Sequence, residues 1–256
     1  MKKLLTLLAL TLSFSMNAQV STSDTNPSNY NASAIGIETT ASGWASTAMG
    51  AYSTASGLSS TAMGGVTTAS GDHSTAMGRN TIASGNRSTA MGYDTIASDY
   101  GSLVIGQFNS SGSSVTNSAT VFDTANTAFV IGNGTASNAK SDAFKVMFNG
   151  DTTVSNDLTV SGDVVISSDA RLKSNIVSLG STLSRLLLID GKSYYMKGKQ
   201  KIGVLAQEIK EVFPELVTED ENENLAVNYQ GLVPVLINAL KEQEERIKRL
   251  EELVLD

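Results

Sequence analysis

Alanine returns every seven residues along the first half of this 256-residue chain, at positions 34, 41, 48, 55, 62, 69, 76, 83, 90 and 97. Glycine follows two residues behind each, at 36, 43, 50, 57, 64, 71, 78, 85 and 92, and Asp99 closes that series. The residue between them alternates between Ser and Met, from Ser42 and Met49 to Met91 and Ser98, so the true period is fourteen. A repeat this regular constrains the fold more than any composition can, because each unit must bury its face against the next copy.

A seven-residue period invites a coiled coil. Each heptad would then hold a glycine, at about 1 kcal/mol against a helix, and would lack a Leu or Ile seam. Thr-Ala-Met-Gly runs instead alternate sides with a period of two, and glycine is expected to supply the bend that ends each strand. Asp99 is expected to fill the last such bend, since Asp tolerates left-handed geometry better than most residues. The economical structure is a solenoid with two short strands per fourteen-residue coil. Five coils would stand about 24 Å tall at roughly 4.8 Å per rung.

Ser74-Thr75-Ala76-Met77-Gly78 and its copies, with Ser102-Leu103-Val104-Ile105-Gly106, resemble the head repeats of YadA-like trimeric autotransporter adhesins. The resemblance covers roughly residues 32–106 and implies a left-handed parallel β-roll that associates as a trimer. One small coil per rung buries little of its surface, so association of three chains would bury more. Thr recurs at 40, 47, 54, 61, 68, 75 and 89, either as stacked equivalent positions or as an ice- or glycan-binding ladder. Trp44, Tyr52, Leu58, His73, Arg79, Arg87 and Tyr93 interrupt the small residues in the turns, either as freely varying turn positions or as a contact surface for a host or environmental glycan or protein.

Beyond the repeats, residues 107–167 hold alternating segments at Ala128–Ile131, Ala143–Phe148 and Leu158–Ile166, punctuated by Gly, Asn and Asp. They predict a β-rich neck or stalk. Charge then changes abruptly: residues 19–167 carry 14 charged side chains and residues 168–256 carry 27. The expected organisation is a signal peptide at 1–18, a linker at 19–31, the head at 32–106, the neck at 107–167 and a final domain at 168–256. Lys2 and Lys3, the apolar run Leu4–Phe14 and small residues up to Ala18 carry the signal-peptide expectation. No later segment approaches the ~20 apolar residues of a spanning helix. A secreted or cell-surface protein without an integral membrane anchor is therefore expected.

With no cysteine there is neither a disulfide framework nor a thiolate metal site, and the single histidine, His73, excludes most Ser-His chemistry. No cofactor and no metal are expected. The net charge of −7, falling to −9 without Lys2 and Lys3, argues against nucleic acid as a partner.

The run Ser168-Asp169-Ala170-Arg171-Leu172-Lys173-Ser174-Asn175-Ile176 places a hydroxyl and an amine five residues apart on the seam between the two compositions. By themselves these are also ordinary turn and helix-start residues. The run resembles the start of the endosialidase-type intramolecular chaperone domain, peptidase family S74. Ile202–Ile209, Phe213–Val217 and Val227–Pro234 continue that resemblance in order across 168–256. It implies that Ser168 attacks the carbonyl of Ser167, that Lys173 is the general base, and that Asp169 and Arg171 support them.

A serine hydroxyl is a poor nucleophile unless a base accepts its proton, and a lysine serves only when neutral. Moving a free lysine from about 10.4 to near 7 takes about 4 kcal/mol of environment. Burial beside a cation such as Arg171 would be the physical means. The substrate bond is tethered beside its nucleophile, so the enzyme would be a single-turnover serine endopeptidase with no external substrate.

Val233, Leu236, Leu240, Gln243, Ile247, Leu250 and Val254 keep 3–4 spacing, which predicts a coiled coil over about 231–256 with Glu244–Lys248 and Glu245–Arg249 pairs on its surface. The fold class expected is thus a mainly β solenoid and stalk plus a small α+β domain ending in a trimeric helix. The function expected is an exported homotrimeric adhesin-like fibre that trims itself between Ser167 and Ser168. The alternatives are a phage-type tail fibre and an ice- or glycan-binding solenoid.

Overall fold

Each Thr-Ala-Met-Gly run forms a strand, as its period-two pattern requires. The computed structural model describes residues 26–27, 31–220 and 223–255, and the expected signal peptide lies outside them. Long strands run at Ser33–Ile37, Thr47–Ala51, Thr61–Gly65, Thr75–Arg79, Thr89–Tyr93 and Leu103–Gln107. They pair in parallel without slip, so that Ala48, Ala62 and Ala76 stack on successive rungs. Short strands at Thr40–Ala41, Thr54–Ala55, Thr68–Ala69, Ile82–Ala83 and Ile96–Ala97 build the second parallel sheet. The product is a β-solenoid of about five turns over residues 33–107.

Its core is thin and regular. Ala41, Ala48, Ala55, Ala62, Ala69, Ala76, Ala83, Ala90 and Ala97 are all fully buried, and Val104 and Val130 extend the column. Ser and Thr side chains at every seventh position from Thr39 to Ser102 are buried beside them. Methyl groups contribute little apolar area, roughly 0.8 kcal/mol each. Backbone ladders between coils therefore carry much of the cohesion.

The glycines answer to space as well as to bending: Gly43, Gly57, Gly71 and Gly85 stand at the bends that follow the short strands. A Cβ added to Gly57, whose φ is ordinary, would lie 2.0 Å from the carbonyl oxygen of Gly71. Gly64 has φ +128° and the same crowding, with Gly78 O at 2.0 Å. A further set of positive-φ positions falls on non-glycine residues, again every seven: Glu38, Ala45, Tyr52, Ser59, Val66, His73, Asn80, Arg87 and Asp94. Backbone bonds to the preceding coil hold them there, as when His73 N–H donates to the Leu58 carbonyl at 2.7 Å.

Asp99 fills the last of these bends, as expected, but without left-handed backbone. It is fully buried, and its carboxylate accepts from Thr116 N–H at 2.6 Å, Thr116 Oγ1 at 2.7 Å and Thr127 N–H at 2.8 Å. Those donors belong to the coil that closes the repeat. Gly106 pairs with Gly132, twelve residues later than the repeat would place a partner, and the extra length makes room for a side chain at 99.

Thr127–Asn133 rejoins the long sheet in parallel register, and Asp142–Met147 and Thr152–Val154 add two antiparallel strands. Leu158–Ile166 does not become the strand its alternation predicts. Among the described residues no strand lies between Val154 and Lys192, and every residue from 151 to 181 is exposed. Alternation qualifies a segment for a sheet, but a strand exists only when a neighbouring edge pairs its backbone groups.

The chain divides into two compact units, one ending at Asp163 and the other starting at Val164. The second unit contains helix α1 (Leu183–Leu186), a hairpin (Lys192–Met196 with Lys199–Gly203), α2 (Ala206–Val212), a second hairpin (Val217–Glu219 with Leu225–Val227) and α3 (Leu232–Leu255). Ile209, Phe213, Leu216 and Val235 form its core. Pro234 is accommodated because the first turn of α3 needs no N–H there. Leu, Lys, Glu and Gln, all strong helix formers, then carry the helix for 24 residues.

Candidate active site

Six residues after Ser167 fold into one tight turn. Asp169 caps a 3-10 turn at Ala170–Leu172, its Oδ1 accepting from Arg171 N–H at 2.9 Å. Lys173 N–H donates to the Ala170 carbonyl at 3.1 Å and closes the turn. This reversal brings the two ends of the five-residue spacing together, and Lys173 Nζ donates to Ser168 Oγ at 2.8 Å. A nucleophile and a base at that distance satisfy the geometric requirement for proton transfer.

Arg171 is placed differently from the sequence expectation. Its guanidinium grips Asp169, with Nη2 to Oδ2 at 2.6 Å, rather than lying against Lys173. That pairing holds the Asp169 carboxyl below the usual carboxylate range, chiefly through the side-chain bond to Arg171, and raises Arg171 in return. The pair therefore locks the turn and leaves little net charge to act on the lysine. Ser167, Ser168 and Lys173 are all exposed in the single chain.

The motifs that follow the pair build the unit's frame. Tyr229 Oη accepts from Val204 N–H at 3.2 Å, and a Cβ on Gly203 would lie 2.6 Å from that hydroxyl. Asn228 N–H donates to the Leu216 carbonyl at 2.8 Å, tying the third motif to the second. Arg185 lies 4.1 Å over the Phe213 ring and also donates to the Val212 carbonyl. On α3 the expected seam is exposed throughout, with Leu240 at 68% and Leu250 at 62%. Glu244 pairs with Lys248 at 3.2 Å, whereas Arg249 turns to the main-chain carbonyl of Glu245 rather than to its carboxylate.

Sequence reasoning missed Glu242. Its carboxylate accepts from Ser181 Oγ at 2.5 Å, from Leu183 N–H at 3.1 Å and from Thr182 N–H. Nothing distinguishes this glutamate from its neighbours in an acidic helix, so no sequence signal could have found it.

In the head, the threonine ladder splits between the two sheets: Thr40, Thr54 and Thr68 stack in one, and Thr47, Thr61, Thr75 and Thr89 in the other. The turn residues split likewise. Tyr52, Arg79 and Tyr93 lie at the ends of long strands, and Trp44, Leu58, His73 and Arg87 follow short ones. They make two edges rather than one surface. No group of His, Asp and Glu among the described residues could hold a metal, and no helix there is long and apolar enough to cross a membrane.

Comparison with known families agrees with both halves. Residues 28–55, 55–81 and 83–109 match the YadA head domain repeat, and residues 168–218 match the chaperone of endosialidase, peptidase S74. The chain thus matches both family models, in separate segments of one polypeptide. It is also similar to the long tail fiber protein Gp37 of Enterobacteria phage K3, at 33% identity over 92 residues. The same protein of Enterobacteria phage T2 matches equally, at 33% identity over 92 residues. These matches take in 32% of this chain, which spans only 7% of the relatives' length.

Proposed function

We propose that this chain is an exported, homotrimeric, adhesin-like fibre subunit whose C-terminal module gathers three chains and then cuts the Ser167–Ser168 bond. The observation that carries the reading is the 2.8 Å contact between Lys173 Nζ and Ser168 Oγ, inside a segment that matches the chaperone of endosialidase. Lys173 takes the hydroxyl proton as Oγ bonds to the Ser167 carbonyl carbon. The C–N bond breaks, and the proton passes to the departing Ser168 amine. Water then hydrolyses the ester, leaving a carboxylate on Ser167 and a free hydroxyl and amine on Ser168. Tethering supplies the proximity that other proteases obtain by binding.

A lysine acts as a base only when neutral, burial favours that form, and Lys173 is exposed in the single chain, so the proposed chemistry needs burial that one chain does not provide. The exposed seam of α3, from Val233 to Val254, supports association in a coiled coil as the source of that burial. Ser168→Ala and Lys173→Met are each expected to leave the chain whole, where the unaltered protein releases a fragment of about 10 kDa from its 89 C-terminal residues. Mass spectrometry of that fragment checks the bond: an N-terminus other than Ser168 rejects the assignment.

The similarity to a long tail fiber protein favours a second reading, a virion fibre assembled in the cytoplasm. The mature N-terminus separates the two. Residue 19 at the N-terminus of exported protein supports the first, and Met1 retained in an assembled cytoplasmic fibre supports the second.

A further inference from the structure

We propose that Glu242 is a positioning residue that transmits the assembly of α3 to the Ser168–Lys173 pair, an inference that rests on the self-cleavage reading above. The helix has two working faces. Val235 and Ala239 are buried against their own chain, and Glu242, seven residues past Val235, shares that face. The other face is the exposed seam, and Gln243 sits in it directly beside Glu242.

Glu242 binds one turn of chain through both oxygens. Oε2 accepts from Ser181 Oγ at 2.5 Å, and Oε1 accepts from Thr182 N–H and, at 3.1 Å, from Leu183 N–H. The same turn is held at two more points along the helix. Thr182, fully buried, donates its hydroxyl to the Val235 carbonyl at 2.9 Å, and Asn238 Nδ2 donates to the Gly180 carbonyl at 3.4 Å. Residues 174–179 contain no helix or strand and are exposed, so this turn is where the chain after Lys173 first meets α3.

Six residues reach at most about 20 Å. When α3 enters a bundle, the turn at 180–183 goes with it, and the short connection limits where Ser168 and Lys173 can lie. A misplacement of about 1 Å at reacting atoms costs about 100-fold in rate, so a loosened anchor shows in the chemistry before it shows in the assembly. A glutamine can keep both backbone bonds through its carbonyl oxygen, while the Ser181 hydroxyl rotates to accept from its amide. Alanine keeps none of them.

The test follows full-length protein after synthesis, with fragment release read on SDS gels and association read by analytical ultracentrifugation. Glu242→Ala is expected to form trimers yet cleave at least about tenfold more slowly, with Glu242→Gln within about threefold of the unaltered chain. In a Ser168→Ala background, Glu242→Ala is expected to speed hydrogen exchange at Thr182 and Leu183. A trimeric Glu242→Ala chain that cleaves at the unaltered rate overturns the proposal, and so does one that stays monomeric, because the residue would then serve assembly itself. An unaltered protein that never cleaves overturns the self-cleavage reading and this coupling with it. Unchanged exchange at Thr182 and Leu183 overturns the anchor alone.

Discussion

The solenoid and the C-terminal unit solve the problem of burial in opposite ways. In the solenoid the alanines at every seventh position from Ala41 to Ala97 are fully buried within a single chain, and each coil finds its hydrogen-bond partners one coil away. In the C-terminal unit the core is four residues with a partly buried rim, while Leu236, Leu240, Ile247, Leu250 and Val254 face water. The segment entering that unit is exposed too, with Val165 at 88%. Repetition lets a chain of small residues satisfy its own backbone and bury its own small core. A long amphipathic helix also satisfies its own backbone, but its apolar face stays in water unless a second surface covers it.

The strongest way to break that contrast is to charge the exposed seam of α3. Leu240→Asp together with Ile247→Asp is expected to abolish both the trimer and cleavage, although neither residue is near the Ser–Lys pair in sequence. Sedimentation as a monomer with fragment release at the unaltered rate would show that the pair works within one chain.

Within the solenoid, two adjacent glycines separate crowding from flexibility. A Cβ on Gly64 meets the Gly78 carbonyl, whereas nothing lies within 4 Å of one on Gly65. Gly64→Ala is expected to destabilise the unit by about 2–4 kcal/mol, from strain at positive φ added to overpacking. Gly65→Ala is expected to stay within about 0.5 kcal/mol of the parent. Denaturant melts followed by circular dichroism compare them, and equal losses would refute the close stacking of coils.

Asp99→Asn is a smaller blow to the same structure. The buried carboxylate accepts three bonds on two oxygens, and an amide must turn a donor toward Thr116 or Thr127. A loss of about 1–3 kcal/mol is expected in the same melts. An unaltered midpoint would mean that the closing coil does not depend on this acceptor.

The smallest effect belongs to the C-terminal unit. Glu242 is held below the usual glutamate range, first by its bond from Ser181 and then by the Thr182 N–H. A carboxyl depressed in the folded state stabilises above its unfolded pKa, and that contribution fades as pH falls through the folded value. The melting difference between Ser168→Ala protein with and without Glu242→Gln is therefore expected to shrink as pH falls below the glutamate range. A difference unchanged by acid would place the stabilisation elsewhere.

Much of the solenoid could be read directly from the chain, because its information is local and repeated. The Ala and Gly rulers set strand, register and rung count, and the ordered motifs after Ser168 drew attention to the Ser168–Lys173 contact together with the frame around it. The second need for the glycines was not visible, since a carbonyl 2.0 Å from a missing Cβ comes from stacking, not from sequence spacing. The alternation at Leu158–Ile166 promised a strand, but pairing depends on an edge elsewhere in space. Arg171 chose Asp169, two residues away, over Lys173, also two residues away, because opposite charges attract and the 3-10 turn presents that carboxylate to it. Glu242 shows the same division most clearly. Helical periodicity put it on a helix, and only the packing of a turn sixty residues earlier in the chain gave its carboxylate three donors.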